Sequence, residues 1–246
     1  IGTGTTIEDV SLDGTSIVLK GNITTAGTGS DPAGVGDIDF DGAVTIDGAI
    51  TITSDVTGTA NDGKIDFATN TINAEGNDTD SLTLLSGSGV ITVGTIGVTT
   101  PLDGLSINAS ANAAAALTIK QIGTFNSAAG VLGTTTIGNA STASVDLNAA
   151  SFMFGSTSGG AGSTTINAAG DITTDADISI QTDHNITFYP NQGGGGGAPL
   201  GGGGGARLGH GDGAPLGRGG DPLWKWWWRP LAWRWCPLGW WWWWWW

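Results

Sequence analysis

Asp37-Ile38-Asp39-Phe40-Asp41-Gly42-Ala43-Val44-Thr45-Ile46-Asp47-Gly48-Ala49-Ile50-Thr51-Ile52-Thr53 decides how this chain folds. Apolar residues alternate with polar ones as Ile38/Phe40, Val44/Ile46 and Ile50/Ile52, and Asp41-Gly42 and Asp47-Gly48 separate the three runs. Asp-Gly between alternating runs is first a β-hairpin signal, because a type I′ turn needs positive φ at both central residues. The pairing register argues otherwise. A two-residue turn at Asp41-Gly42 would set Phe40 opposite Ala43, Asp39 opposite Val44 and Ile38 opposite Thr45. Side chains alternate with period two, so that hairpin cannot put both apolar sets on one buried face. In a solenoid the strand turns a corner instead, and Ile38, Phe40, Val44, Ile46, Ile50 and Ile52 all point into one interior.

The six-residue spacing is not sustained along the chain. It returns at Ile172, Ile178/Ile180 and Ile186/Phe188, where Gly170-Asp171-Ile172 echoes Gly36-Asp37-Ile38. Between these places the strand candidates are unevenly spaced: Lys64–Phe67, Leu82–Leu85, Val90–Val93, Leu105–Ala109, Leu117–Lys120 and Val145–Leu147. Uneven coils with variable turns predict an all-β chain folded as a right-handed parallel β-helix, a solenoid, rather than a regular hexapeptide helix. Leu12-Asp13-Gly14-Thr15-Ser16-Ile17 recurs as Leu102-Asp103-Gly104-Leu105-Ser106-Ile107, which suggests two diverged units, 1–95 and 96–192. At roughly 20 residues per coil and about 4.8 Å between stacked strands, the expected rod is on the order of 45 Å long. Ile38, Phe40, Val44, Ile46, Ile50, Ile52, Ile172, Ile178 and Ile180 are its expected core.

Composition changes at Gln192/Gly193. Residues 1–192 hold Lys20, Lys64 and Lys120 against twenty acidic residues, with no Arg, Trp or Cys, and so carry a net charge of −17. That balance argues against nucleic acid or an anionic membrane surface as a partner for residues 1–192, since neutralising phosphate needs Lys and Arg. Without cysteine the domain has no disulfide scaffold, and stacking must supply its stability. Residues 193–246 hold all 13 Trp, the single Cys, and two runs of five Gly. Gly and Pro at this density prevent a packed core, so 193–246 is expected to be a disordered low-complexity tail or a frame-shifted stretch. Its segment Trp224–Trp235 resembles Trp/Arg-rich antimicrobial peptides, whose rings and cations lodge at membrane interfaces. The chain starts at Ile1 inside a repeat, as expected of a segment from a longer repetitive parent.

Several residues raise chemistry and are weighed against plain structural roles. Asp37, Asp39 and Asp41, followed by Gly42, match the opening of a calcium loop. Position 12 of that loop is Gly48, where a bidentate Glu would complete the cage, so no metal ligand is assigned. Glycan-cleaving enzymes of this architecture need clustered acids, usually with Arg, Lys or a metal to stabilise developing charge. Residues 1–192 have no Arg, their three Lys sit in or beside separate strands, and His184 alternates with Ile186 and Phe188 with no partner for general-base work. No Ser lies in a Gly-x-Ser-x-Gly elbow. No catalytic residue and no cofactor are therefore assigned. Thr51/Thr53 and Thr134/Thr136 raise the idea of an ice-binding Thr ladder. That needs the Thr at one fixed point of every coil, and in sequence the pairs are scattered. Asn22, Asn77, Asn108, Asn139 and Asn185 each begin an Asn-x-Ser/Thr triplet, a pattern that Asn- and Thr-rich chains produce by chance.

The units Ile-Gly-x-x-Thr-Thr…Leu-Asp-Gly-x-Ser-Ile, Gly36-Asp37-Ile38-Asp39-Phe40-Asp41-Gly42-Ala43-Val44-Thr45-Ile46 and Phe125-Asn126-Ser127-Ala128-Ala129-Gly130 resemble repeats of large secreted bacterial adhesins of the filamentous-haemagglutinin-like type. The resemblance covers residues 1–192. It implies a β-helical rod exported to the cell surface, continuous with neighbouring repeats of a longer parent chain. Its implied partner is a host, surface or carbohydrate receptor. The implied role is a non-enzymatic stalk, against the alternatives of a carbohydrate-active β-helix enzyme and a calcium-stabilised extracellular module.

Overall fold

Three inward columns of apolar residues, stacked one above another, organise the chain. The computed structural model describes residues 7–25, 36–54, 62–76, 79–108, 115–124, 130–148, 151–154, 162–174, 178–182, 186–190 and 206–208. All of these belong to one compact unit, Ile1–His210. His184, Asn77, Asn185, the segment 125–129 and Trp224–Trp235 lie outside the described residues. The described residues contain strands and turns and no helix.

The first pass comprises β1 (Val10–Leu19) and β2 (Ile23–Thr24), and the second β3 (Ile38–Ile46) and β4 (Ala49–Thr53). β5 (Ile65–Asp66), β6 (Thr71–Ala74) and β7 (Ser81–Leu85) form the third, and β8 (Ile91–Ile96) and β9 (Gly104–Ile107) the fourth. β10 (Ala116–Ile122) and β11 (Thr135–Ile137) follow, then β12 (Ser144–Leu147), β13 (Ser151–Phe154) and β14 (Thr164–Ala168). The last pass is β15 (Ile172–Thr174), β16 (Ile178–Thr182) and β17 (Ile186–Pro190), with β18 (Ala206–Leu208) beyond it. Each pass pairs in parallel with the next, which makes the domain a parallel β-solenoid.

The register defines three faces. The first carries Val10, Ile38, Ile65, Ile91, Leu117, Val145 and Ile172 in direct succession. The second carries Ile17, Val44, Ile72, Ile96, Ile122, Phe152 and Ile180. The third, a separate seven-stranded sheet, carries Ile23, Ile52, Leu84, Ile107, Ile137, Ile166 and Phe188. Ile, Leu and Val suit such positions because β-branched and aliphatic side chains pack against identical neighbours on a pleated surface. Phe40 and Phe67 add an aromatic step, with ring centroids 4.3 Å apart and planes 1° from parallel.

The expected core is where the alternation places it. Ile38, Phe40, Val44, Ile46, Ile50, Ile52 and Ile180 are buried, and Ile172 is partly buried against the same cluster. Ile178 lies in β16, and its side chain is outside the described residues. Coil length differs from the expectation of roughly 20 residues: successive members of the first column are 26 to 28 residues apart. The added length lies in the corner loops. The six steps from Val10 to Ile172 climb about 29 Å at ~4.8 Å each.

The Asp-Gly pairs are corners, as the register argument requires. β3 runs through Asp41-Gly42 from the first face to the second without losing its inward parity. At that point Gly14 and Thr15 of β1 oppose Gly42 alone, a bulge that bends the strand. A Cβ on Gly42 would overlap the Gly14 carbonyl oxygen, so only glycine fits beneath the neighbouring coil. Gly48 turns the next corner at φ +95°, a conformation that other residues rarely adopt. The repeated Leu-Asp-Gly-x-Ser-Ile segments occupy different places: Leu12–Ile17 spans the first and second faces, whereas Gly104–Ile107 is a third-face strand. Within the tail, Ala206–Leu208 pairs antiparallel with Ile178–Ile180, a short addition that the Gly/Pro-rich composition does not announce.

Candidate functional site

Several corners among the described residues are closed by polar side chains, most of which reach one coil along the stack. Asp9 Oδ1 accepts the Gly36 and Asp37 amides at 2.9 and 3.0 Å, and Asp37 Oδ1 in turn accepts the Lys64 amide at 2.8 Å. Buried Asp80 accepts three amides, from Gly48 at 2.7 Å, Glu75 at 3.0 Å and Gly76 at 3.3 Å. A carboxylate with several N–H donors replaces the water it loses on burial.

A second device closes the turn from the third face to the first. Buried hydroxyls on Thr25, Ser54 and Ser86 donate to the carbonyls of Gly36, Gly63 and Gly89 at 2.5, 2.7 and 2.6 Å. These clamps span 11, 9 and 3 residues, so the same corner accepts inserts of different length. Asn108, at φ +50°, donates to the Gly87 carbonyl and accepts the Ser86 amide. Sequence reading missed these residues. Their signal is a hydroxyl or amide side chain just past a third-face strand, followed by a glycine at a variable distance. Asn108 is fully buried, so its side-chain amide is not presented to solvent.

The three aspartates of the calcium-like run are engaged separately. Asp37 braces the next coil through the Lys64 amide, Asp39 pairs with Lys64 Nζ at 2.7 Å, and Asp41 is exposed at the corner. Asp66 also approaches Lys64 Nζ, at 3.6 Å. The hydrogen bond and charge of Asp39 hold the Lys64 ammonium above its ordinary pKa against the opposing effect of burial, with Asp66 and Asp37 adding to the rise. Lys20 and Asp47 form the equivalent coil-to-coil pair at the next corner. Hydrogen bonding from Lys20 lowers the Asp47 carboxyl, and Asp47 raises the ammonium in return. Among the described residues, no three His, Cys, Asp or Glu side chains converge to hold a metal ion.

Outward chemistry divides between the sheets. Asp13, Asp39, Asp41, Asp66, Lys120 and Asp146 all belong to strands of the first two faces. No strand of the third face contains a charged residue. On it Thr51, Thr83, Ser106, Thr136, Thr165 and Thr187 stand in direct succession, each half-buried. The Thr pairs scattered in sequence are thus joined in space through Thr51 and Thr136, which share this column. Thr53 and Thr134 fall on opposite sides of it.

Fold and corners together define a class, a three-faced parallel β-solenoid whose polar side chains chiefly tie one coil to the next. Compared with protein-family models, curated proteins and solved structures, the chain matches none.

Proposed function

We propose that residues 1–192 are a non-enzymatic structural segment of a secreted bacterial surface adhesin, a stalk that projects binding sites carried elsewhere in a longer chain. The supporting observation is the commitment of its polar groups: Asp9, Asp37, Asp80, Thr25, Ser54, Ser86 and Asn108 all spend their hydrogen bonds on the backbone of a neighbouring coil or corner. Such a unit transmits length and stiffness along one axis, since each coil touches only its neighbours. Acidic outer positions on the first face suit a solvated extracellular rod that resists sticking to like-charged surfaces. Its partner is a host, surface or carbohydrate receptor met by other parts of the parent.

The test places the segment between a membrane anchor and a known ligand-binding domain on a bacterial surface. The expected result is capture of ligand-coated beads through the surface polysaccharide layer, lost when the segment is deleted. Capture that does not depend on the segment would overturn the stalk reading. So would release of reducing ends or unsaturated sugars from a polysaccharide panel by the purified chain, which would establish the enzyme reading instead.

A further inference from the structure

We propose that the third face is an ice-binding surface, with the column Thr51, Thr83, Ser106, Thr136, Thr165 and Thr187 as its contact line. The inference stands on the face itself and does not require the stalk role.

Two independent observations converge on it. The first is periodicity: six hydroxyl side chains occupy one register position in six successive strands, repeating every ~4.8 Å along the stack. That repeat lies near the spacing of water oxygens along a lattice direction of hexagonal ice, so neighbouring hydroxyls can meet neighbouring lattice waters in step. The second is the charge partition. The chain carries −14 overall, yet no charged residue interrupts any strand of this sheet. Charged groups bind water too strongly and in the wrong geometry to share it with a crystal, whereas an uncharged lattice needs an uncharged, regular partner.

The side-chain chemistry fits the same occupant. Threonine offers a hydroxyl that can replace a lattice water and a methyl that orders water around it. Its branched Cβ fixes χ1, so the array is already arranged before contact and loses little rotamer freedom on binding. On one side of the column stand Ala49, Ser81, Gly104 and Thr134, small enough to let a flat surface approach, and on the other Thr53, Leu85, Asn167 and Tyr189, likewise uncharged. One aromatic, Tyr189, sits at the far end of the sheet, too little for the stacked platforms that a sugar chain prefers.

The experiment uses the full chain, with ice as the probe. Purified protein is frozen slowly in ice-affinity partitioning and followed by thermal hysteresis and crystal shape. The expected result is enrichment in the ice fraction and faceted crystals. Thr83→Lys/Thr136→Lys should abolish both, with the circular dichroism spectrum and melting temperature retained. Thr92→Lys/Thr118→Lys, outward on the first face, should partition as the parent does. Should the third-face lysines unfold the domain, Thr83→Val/Thr136→Val keeps shape and strand preference, and partial loss of partitioning is expected. Exclusion of the parent chain from ice, or undiminished partitioning of a folded third-face variant, would overturn the proposal.

Discussion

The first and third faces share one inward pattern and differ in the charge they present to water. Along the first, successive strands are 26 to 28 residues apart and carry Asp39 and Asp66 outward beside Lys64, with Asp146 further along the same column. Along the third, successive members of the Thr column lie 22 to 32 residues apart, and the outer positions are uncharged. Equal spacing in space has been kept while spacing in sequence has drifted. The hydroxyl–glycine clamps explain how, since they close the same corner over 3, 9 or 11 residues. Chain length between strands is cheap to change, because loop entropy grows only slowly with length. Register is not, because a one-residue slip turns every core side chain outward.

That contrast can be broken most severely from inside. Val44→Asp puts a carboxylate between Ile17 and Ile72 at a site only 1% exposed. It should cost at least about 3 kcal/mol, the scale of an uncompensated buried charge, and affect faces on both sides of the corner. An unchanged melting temperature would count heavily against the stacked core. Next comes the clamp. Asn108→Ala leaves the Ser86 amide and Gly87 carbonyl without their side-chain partner, an expected loss of about 1–3 kcal/mol in urea denaturation. Hydrogen exchange should show that loss as opening beside β7 and β9 first.

The outer surface matters less. Lys64→Met should cost only about 0.2–1 kcal/mol, because the pair with Asp39 is exposed and screened. Salt should remove most of the difference between parent and variant. The pH dependence of these pairs is smaller still and has a definite sign. The raised lysines contribute fully below their ordinary value of 10.5, and that contribution fades as pH rises through the folded value. The lowered Asp47 carboxyl contributes above its ordinary value of 3.8, and its share fades as pH falls through the folded value. A Lys20→Met/Lys64→Met variant should therefore differ from the parent most between these limits and converge with it beyond them. Melting curves across that range check this. With Lys64 already seated beside Asp39, a chelator should leave the melting temperature unchanged, whereas a clear drop would restore a calcium role to Asp37, Asp39 and Asp41.

Much of this was legible in order of residues. Alternation at 38–53 identified the inward side chains, and the incompatible hairpin register identified Asp41-Gly42 and Asp47-Gly48 as corners. The residues that close those corners were less visible. Asp80 reaches back 32 positions to the Gly48 amide, and no local pattern marks it as anything but a surface acid. The Thr column was hidden for a related reason: loops of unequal length separate its members, so no single period in the chain reveals it.

A parallel solenoid with Ile, Leu, Val and Phe inside is already written into the order of residues, because period-two alternation and glycine corners are local properties that survive any loop length. Which outward residues share a face emerges only when the coils are stacked. That depends on how much chain each corner absorbs, and the hydrogen bonds that set it join residues from different coils.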